Sequence, residues 1–326
     1  MKNEELGTQF MALIAQAMGG SAETLEGKIQ EMVKKAVSEM GTGTVTHEVK
    51  VGGYEPKKIK GLVSQEFDEV LAWTTNGNAV MLTGPAGTGK GTMARQVAEA
   101  LEADFFEVNA VQNAYELTGF VDANSYYVDT PFYRACKNAS EGNSTVFLFD
   151  EIDCSVPEVL KIFNEALSSY EFTFPNGETL EFPEMKIICA ANTYGTGADM
   201  QYCGNQLDAS TLDRFAMVEV GYDPKVEMAV ANGDRELVDF IHSVRTVTET
   251  MRLIVSYRSI KRIASMKGVA DMRSVLRQGL VKGLSADDLE IVKSYVKRVL
   301  PDNPYAKALN GEDVSFITGK LARKSA

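Results

Sequence analysis

One tryptophan, two histidines and four cysteines are all that 326 residues hold of three chemically versatile side chains. His47 and His242 stand far apart in the chain. Cys136, Cys154, Cys189 and Cys203 show no paired metal-ligand spacing, which argues against a zinc site. Those cysteines read as reduced, mostly buried thiols. No apolar stretch approaches the ~18 residues of a membrane span, and the N-terminus lacks the basic, apolar, small-residue progression of a secretory leader. A cytoplasmic protein with no membrane partner is therefore expected. Long internal repeats and low-complexity tracts are missing too. The hydrophobic and charged fractions, 44% and 24%, are those of an ordinary globular chain long enough for two domains and an extension.

Positive charge is in short supply, with a net charge of −12, yet residues 245 to 299 hold 12 Lys and Arg against 5 Asp and Glu. Such a basic segment can face nucleic acid, a bound nucleotide or the acidic face of a neighbouring subunit. Only Tyr257 and Tyr295 are available there for base stacking, so the nucleotide or the subunit is the expected partner and nucleic acid the alternative.

Glycine is plentiful in one decisive place. Gly84-Pro85-Ala86-Gly87-Thr88-Gly89-Lys90-Gly91-Thr92 has the spacing of a phosphate-binding loop. The apolar run Ala79 to Leu82 before it reads as a buried parallel strand. The stretch Thr92 to Leu101 after it reads as a helix with Met93, Val97 and Leu101 on one face. Glycines let successive N–H groups turn towards phosphates, the helix dipole favours their charge, and Lys90 reaches the outer phosphates. Where a Ser or Thr ordinarily supplies a hydroxyl to Mg²⁺ the chain has Gly91, with Thr92 one place later. That order resembles the loop of adenylate kinases, which implies a magnesium held through water, with Thr92 and Asp150 as the candidate metal residues.

Residues 4 to 40 carry two amphipathic helical patterns around Gly19-Gly20, and Val45, Val49 and Val51 suggest a short strand. Residues 1 to 58 therefore read as a helical N-terminal extension and linker. From 59 to 222 short apolar strands alternate with helical stretches, the pattern of an α/β domain with a five-stranded parallel sheet. The strands are expected at Val80 to Thr83, Phe105 to Asn109, Thr145 to Phe149, Lys186 to Ala190 and Ala216 to Val220. Residues 223 to 326 read as a small all-helical domain with a C-terminal tail.

The strand Val146 to Phe149 ends in Asp150-Glu151-Ile152-Asp153, placing two adjacent carboxylates at the tip where open α/β sheets bind ligands. Asp150 suits the hydration shell of Mg²⁺, and Glu151 suits orienting and deprotonating a water that attacks the γ-phosphate. In this order the loop and the acidic pair resemble the AAA+ ATPases over roughly residues 59 to 265. That resemblance implies that Asn192, in Ala191-Asn192-Thr193, is a sensor of the γ-phosphate. It implies too that Arg214, in Leu212-Asp213-Arg214-Phe215, is an arginine finger reaching a neighbouring subunit's nucleotide. Arg258, in Ser256-Tyr257-Arg258-Ser259, looks like the family's second sensor, with Arg252 and Arg262 as substitutes. Asn109 is a candidate polar switch for Glu151. The resemblance implies a ring of identical subunits, a hexamer.

Tyr170 to Phe182 alternates around Pro175-Asn176-Gly177, a β-hairpin signal immediately before the Asn192 strand. This hairpin and the stretch Asn192 to Arg214 are similar to the MoxR and dynein-related branch, including the ATPase subunit of aerobic cobalt chelatase. Gly91 departs from that branch. The resemblance implies an ATP- and Mg²⁺-dependent ring ATPase that remodels or loads a protein partner, one bearing a von Willebrand-type domain in related systems. Two alternatives stay open: a weakly hydrolysing, nucleotide-dependent scaffold or DNA-binding ring, and a nucleoside monophosphate kinase.

Overall fold

The computed structural model describes residues 46–49, 57–314 and 316. The amphipathic patterns of residues 4 to 40 lie outside them. Two short strands come first, β1 (Thr46–Val49) and β2 (Lys57–Lys60), paired antiparallel with Thr46 opposite Lys60. The second of these was not expected from sequence.

The central sheet is built from β3 (Val80–Thr83), β4 (Asp104–Val108), β7 (Thr145–Phe149), β10 (Lys186–Ala191) and β11 (Ala216–Glu219). All neighbouring pairs are parallel, in the order β11-β3-β10-β7-β4. The expected five strands are present, β3 and β7 with the expected ends and the other three shifted by one residue at one or both ends. Successive strand residues point to opposite faces, and here both faces are covered, which is why the strands read as continuous apolar runs. Val80, Leu82, Val146, Leu148, Ile188 and Ala190 pack with helices α1 (Phe67–Thr75) and α2 (Lys90–Ala100). The alternate residues Met81, Phe147, Phe149, Ile187, Cys189 and Ala191 pack on the other side.

That second face is covered by α3 (Ala114–Thr118), α4 (Pro131–Ser140) and α5 (Pro157–Ser169), with a hairpin, β8 (Glu171–Thr173) and β9 (Thr179–Glu181), completing it. The Pro-Asn-Gly turn closes as expected, with the Gly177 N–H donating to the Phe174 carbonyl at 2.8 Å. One side of the hairpin is core: Phe174, Leu180 and Phe182 are buried against Phe132 and its neighbours. A further small antiparallel pair, β5 (Phe120–Val121) with β6 (Tyr127–Val128), precedes α4 and carries exposed Phe120, Val121 and Tyr126.

After the turn of α6 (Ala209–Leu212) and β11, the described chain is helical: α7 (Pro224–Val230), α8 (Arg235–Val247), α9 (Tyr257–Met266), α10 (Met272–Gly279), α11 (Ala286–Val299) and α12 (Pro304–Leu309). Polar side chains start five of these helices, Asp223, Asp234, Asp271, Ser285 and Asn303 each accepting a first-turn N–H. Their inner faces form one further core around Leu237, Phe240, Ile241, Ile260, Leu276 and Tyr305. All four cysteines are free, but only Cys136 and Cys189 are buried, while Cys203 is exposed, against the expectation of mostly buried thiols. Among the described residues no helix is long and apolar enough to cross a membrane.

Candidate nucleotide site

The buried strand β3 runs straight into the glycine-rich loop, and α2 starts at Lys90, two residues earlier than its sequence pattern suggested. Gly84 and Gly87 adopt left-handed backbone conformations, with φ of +133° and +77°. A Cβ on Gly84 would lie 2.4 Å from the Val220 carbonyl oxygen, and one on Gly87 2.6 Å from the Ser256 Cβ, so only glycine keeps this course. The first N–H groups of α2 have no acceptor inside the helix, which leaves them for an anion.

Lys90 is 7% exposed, and its ammonium donates to the carbonyls of Gly84 (2.7 Å) and Pro85 (3.0 Å) and to Asn192 Oδ1 (3.0 Å). Burial pulls this ammonium down to about 8, Asp150 and Asp153 hold it up, Arg258 adds to the depression, and Glu151 opposes it.

Sheet order explains why residues 102 positions apart meet. Strand β10 lies between β3 and β7, so Asn192 at its end falls between the loop after β3 and the carboxylates after β7. Asp150 accepts the Glu151 N–H at 3.0 Å, and Glu151 itself has a left-handed φ of +52°, which throws its side chain out of the strand direction. An ideal Cβ on Gly91 lies 3.8 Å from Asp150 Oδ2, so the residue of α2 that abuts the carboxylate is Gly91. Thr92 is about 100° further around the helix and lines the same cavity.

Sequence reasoning missed Asp153. It is fully buried, and its Oδ2 accepts the N–H groups of Asn192 (3.1 Å) and Thr193 (3.0 Å) and the Thr193 hydroxyl (2.9 Å). This carboxylate fixes the backbone that presents Asn192 to Lys90. The third acid of Asp-Glu-Ile-Asp was visible in the sequence, but its inward direction comes from the short 3₁₀ turn Ile152–Cys154.

These groups enclose a cavity of about 470 Å³ lined by Ala86 through Thr92, Asp150, Glu151, Asn192 and Arg258, with the apolar side chains Leu62, Val226 and Val230 also in its lining. Gly84 and Pro85 contribute through the carbonyls that hold Lys90. Arg214 is outside this cavity: it is exposed after α6, where its guanidinium donates to Ser168 Oγ at 3.2 and 3.1 Å and to the Ser210 carbonyl. Arg252 and Arg262 line a different cavity with Lys282 and Arg258, and Arg262 donates to the Gly279 carbonyl at 2.7 Å. Of the three arginines proposed from sequence for the second sensor, Arg258 is the one in the nucleotide cavity. Asn109 is exposed just beyond β4.

Among the described residues no cluster of three or more His, Cys, Asp or Glu forms a self-sufficient metal cage. Magnesium typically takes one or two carboxylates, several waters and substrate phosphates, and Asp150 beside the loop is a donor of that kind.

Comparison with known proteins places this geometry. Residues 79–215 match the family model of the AAA domain, dynein-related subfamily. The chain is 24% identical over 258 residues to an uncharacterized protein of Staphylococcus aureus (strain USA300), covering 72% of this chain and 93% of that one. It is 24% identical over 194 residues to the ATP-dependent Clp protease ATP-binding subunit ClpL of Staphylococcus aureus (strain bovine RF122 / ET3-1), covering 53% of this chain and 27% of that protein. Among solved structures, a closed state of Hsp104 with ATPγS and FITC casein is similar with a TM-score of 0.38 and 16% identity, covering 73% of this chain and 42% of that one. The loop and the sheet order agree with the family match, an α/β P-loop AAA core over residues 79–215.

Proposed function

We propose that this chain hydrolyses ATP with Mg²⁺ in a ring of identical subunits and spends the energy on remodelling or loading a protein partner. The observation that carries the reading is the convergence of Lys90, Asn192, Asp150, Glu151 and Arg258 on one cavity. In this reading the triphosphate lies along the N–H groups of the loop and the start of α2. Its base packs against the apolar lining residues Leu62, Val226 and Val230. Lys90 neutralises the outer phosphates, and its depressed pKa means that a triphosphate also restores the proton that burial weakens. Asp150 would hold Mg²⁺ through water, with Thr92 as a further donor; when bound, the ion would offset the charge of the outer phosphates. Glu151 accepts the proton of the attacking water as the γ-phosphoryl leaves ADP, and Asn192 orients that water. Arg258 serves as the second sensor from the helical region. Arg214, exposed and away from its own cavity, completes the neighbouring subunit's site.

Within this reading, residues 59–222 form the nucleotide-binding domain and 223–326 the lid. The chain works as a cytoplasmic MoxR-type machine, a hexamer acting on a protein that carries a von Willebrand-type domain. The likeness of Asn192 to Arg214 to the chelatase ATPase subunit supports that finer placement.

Phosphate release tests it. Glu151→Gln and Arg214→Ala should each abolish turnover while nucleotide binding persists. Mixed together, they should regain activity, because a Glu151→Gln subunit still lends its Arg214 to a neighbour with an intact Glu151. Normal turnover in both single variants refutes the reading, and a mixture that stays inert removes the shared site.

A further inference from the structure

Ala86 is held from behind by two tyrosines that stay outside the nucleotide cavity. Its N–H donates to the Tyr202 hydroxyl oxygen at 3.0 Å, and its carbonyl accepts from the Tyr222 hydroxyl at 3.1 Å. Neither ring lines the cavity of Lys90, whereas both line a separate one of about 640 Å³ behind Pro85. The first hydrogen bond fixes the peptide preceding the Ala86 Cα, the second the peptide following it, so both dihedrals of Ala86 are set. In a trans peptide the N–H points opposite to the C=O. Drawing the Ala86 carbonyl towards Tyr222 therefore turns the Gly87 N–H the other way, away from the tyrosines.

Each tyrosine is anchored elsewhere. Tyr202 belongs to a turn in which Asp199 Oδ1 accepts the N–H groups of Gln201 and Tyr202, both at 2.7 Å, and the Gln201 amide donates to the Met251 carbonyl at 3.2 Å. The Tyr222 ring lies under the Arg245 guanidinium, 3.8 Å from its centroid, and meets the Tyr257 ring edge-on at 5.4 Å. Arg245 donates to the buried Glu227 at 2.7 Å and to the Val255 carbonyl at 3.2 and 3.0 Å, and His242 Nε2 is 2.5 Å from the other Glu227 oxygen. Arg245 and His242 lie on α8 and Tyr257 on α9. The helical region thus reaches Ala86 of the phosphate loop through Tyr222, beside the close approach of Ser256 to Gly87.

We propose that Tyr202 and Tyr222 are positioning residues: they orient the Gly87 N–H for the triphosphate and transmit displacement of α8 and α9 to the phosphate loop. The inference rests on the nucleotide-site reading above and adds to it the route by which the helical region and the loop sense each other. Burial raises the pKa of both hydroxyls, which keeps them protonated and able to serve in this geometry.

The test uses the full chain, a fluorescent ATP analogue with Mg²⁺, and thermal denaturation without nucleotide. Tyr202→Phe and Tyr222→Phe keep the rings and remove one neutral hydrogen bond each, so each should weaken binding about five-fold. They should raise KM while leaving kcat near its starting value, with Tm little changed. Because both grip one residue, the double variant should lose less than the product of the two single losses. Arg245→Lys leaves a cation for Glu227 but no flat guanidinium over Tyr222, and should also weaken binding although it is outside the nucleotide cavity. If the tyrosine variants bind as tightly as the unaltered chain, with or without a fall in Tm, the inference is overturned and the ATPase reading stands. If the unaltered chain fails to bind the analogue, both fall.

Discussion

Replacing Asp153 with alanine should both loosen the protein and disable its site. Three donors converge on Asp153 Oδ2: the N–H groups of Asn192 and Thr193 and the Thr193 hydroxyl. The two Thr193 donors are buried, the Asn192 N–H is half-buried, and Asp153 itself is 0% exposed. Leaving buried donors unpaired costs roughly 1–3 kcal/mol apiece, and removing a buried carboxylate returns part of that sum, so a net loss on the order of 4 kcal/mol is expected. For a chain of this size that corresponds to a fall in Tm of about 10 °C. Function should suffer beyond stability. Asn192 reaches Lys90 only because Asp153 fixes its backbone, and a displacement of roughly 1 Å in a catalytic group can cost about 100-fold in rate. Asp153→Asn keeps an acceptor towards the same donors and should fall between the two proteins. Differential scanning calorimetry and phosphate release at a temperature where both proteins are folded measure the two effects separately. An unchanged Tm together with unchanged turnover in Asp153→Ala would refute the reasoning, because no other group replaces this carboxylate in the structure.

Gly91→Ser should be tolerated, since an ideal Cβ there makes only 3.8 Å contacts with Asp150 Oδ2 and Leu148 Cδ2. A hydroxyl in place of a bridging water is worth about 1 kcal/mol, so the Mg²⁺ concentration at half-maximal turnover should fall about five-fold; an unchanged magnesium requirement would place the ion elsewhere. Lys90 gives a pH signature. Its pKa, lowered from 10.5 to about 8 chiefly by burial, means that between those values the unfolded chain binds more protons than the folded one. Stability without nucleotide should therefore rise with pH through that window relative to Lys90→Met, the opposite of a stabilising ion pair. Triphosphate binding near pH 8.5 should take up protons, which calorimetry in buffers of different ionisation enthalpy detects; no uptake would mean that Lys90 is already fully charged.

The loop from Gly84 to Thr92 was legible because its chemistry is local: glycines where the backbone must turn left-handed, a lysine at the helix start, and an apolar strand before it. The alternation of buried strands and helices likewise announced the parallel sheet, since a strand covered on both faces has no polar side to show. The hairpin at Pro175 to Gly177 followed from turn chemistry. Arg258 was named from its resemblance to the family's second sensor, with Arg252 and Arg262 as substitutes; the packing of α9 and α10 decides that, of the three, Arg258 lines the cavity of Lys90. Pattern reading passed over β2, β5 and β6, whose two to four residues are too short to carry a period.

What the sequence determined alone was therefore a set of candidate groups for a phosphate and its metal, together with the class of scaffold that carries them. Tertiary structure decided which groups meet. The insertion of β10 between β3 and β7 brings Asn192 to Lys90, a short turn aims Asp153 inward, and two tyrosines from separate segments close on Ala86. None of these is encoded in nearby residues, because each depends on strand order and packing between segments far apart in the chain. A hydroxyl or carboxylate at the tip of an element has no direction until the elements around it are fixed.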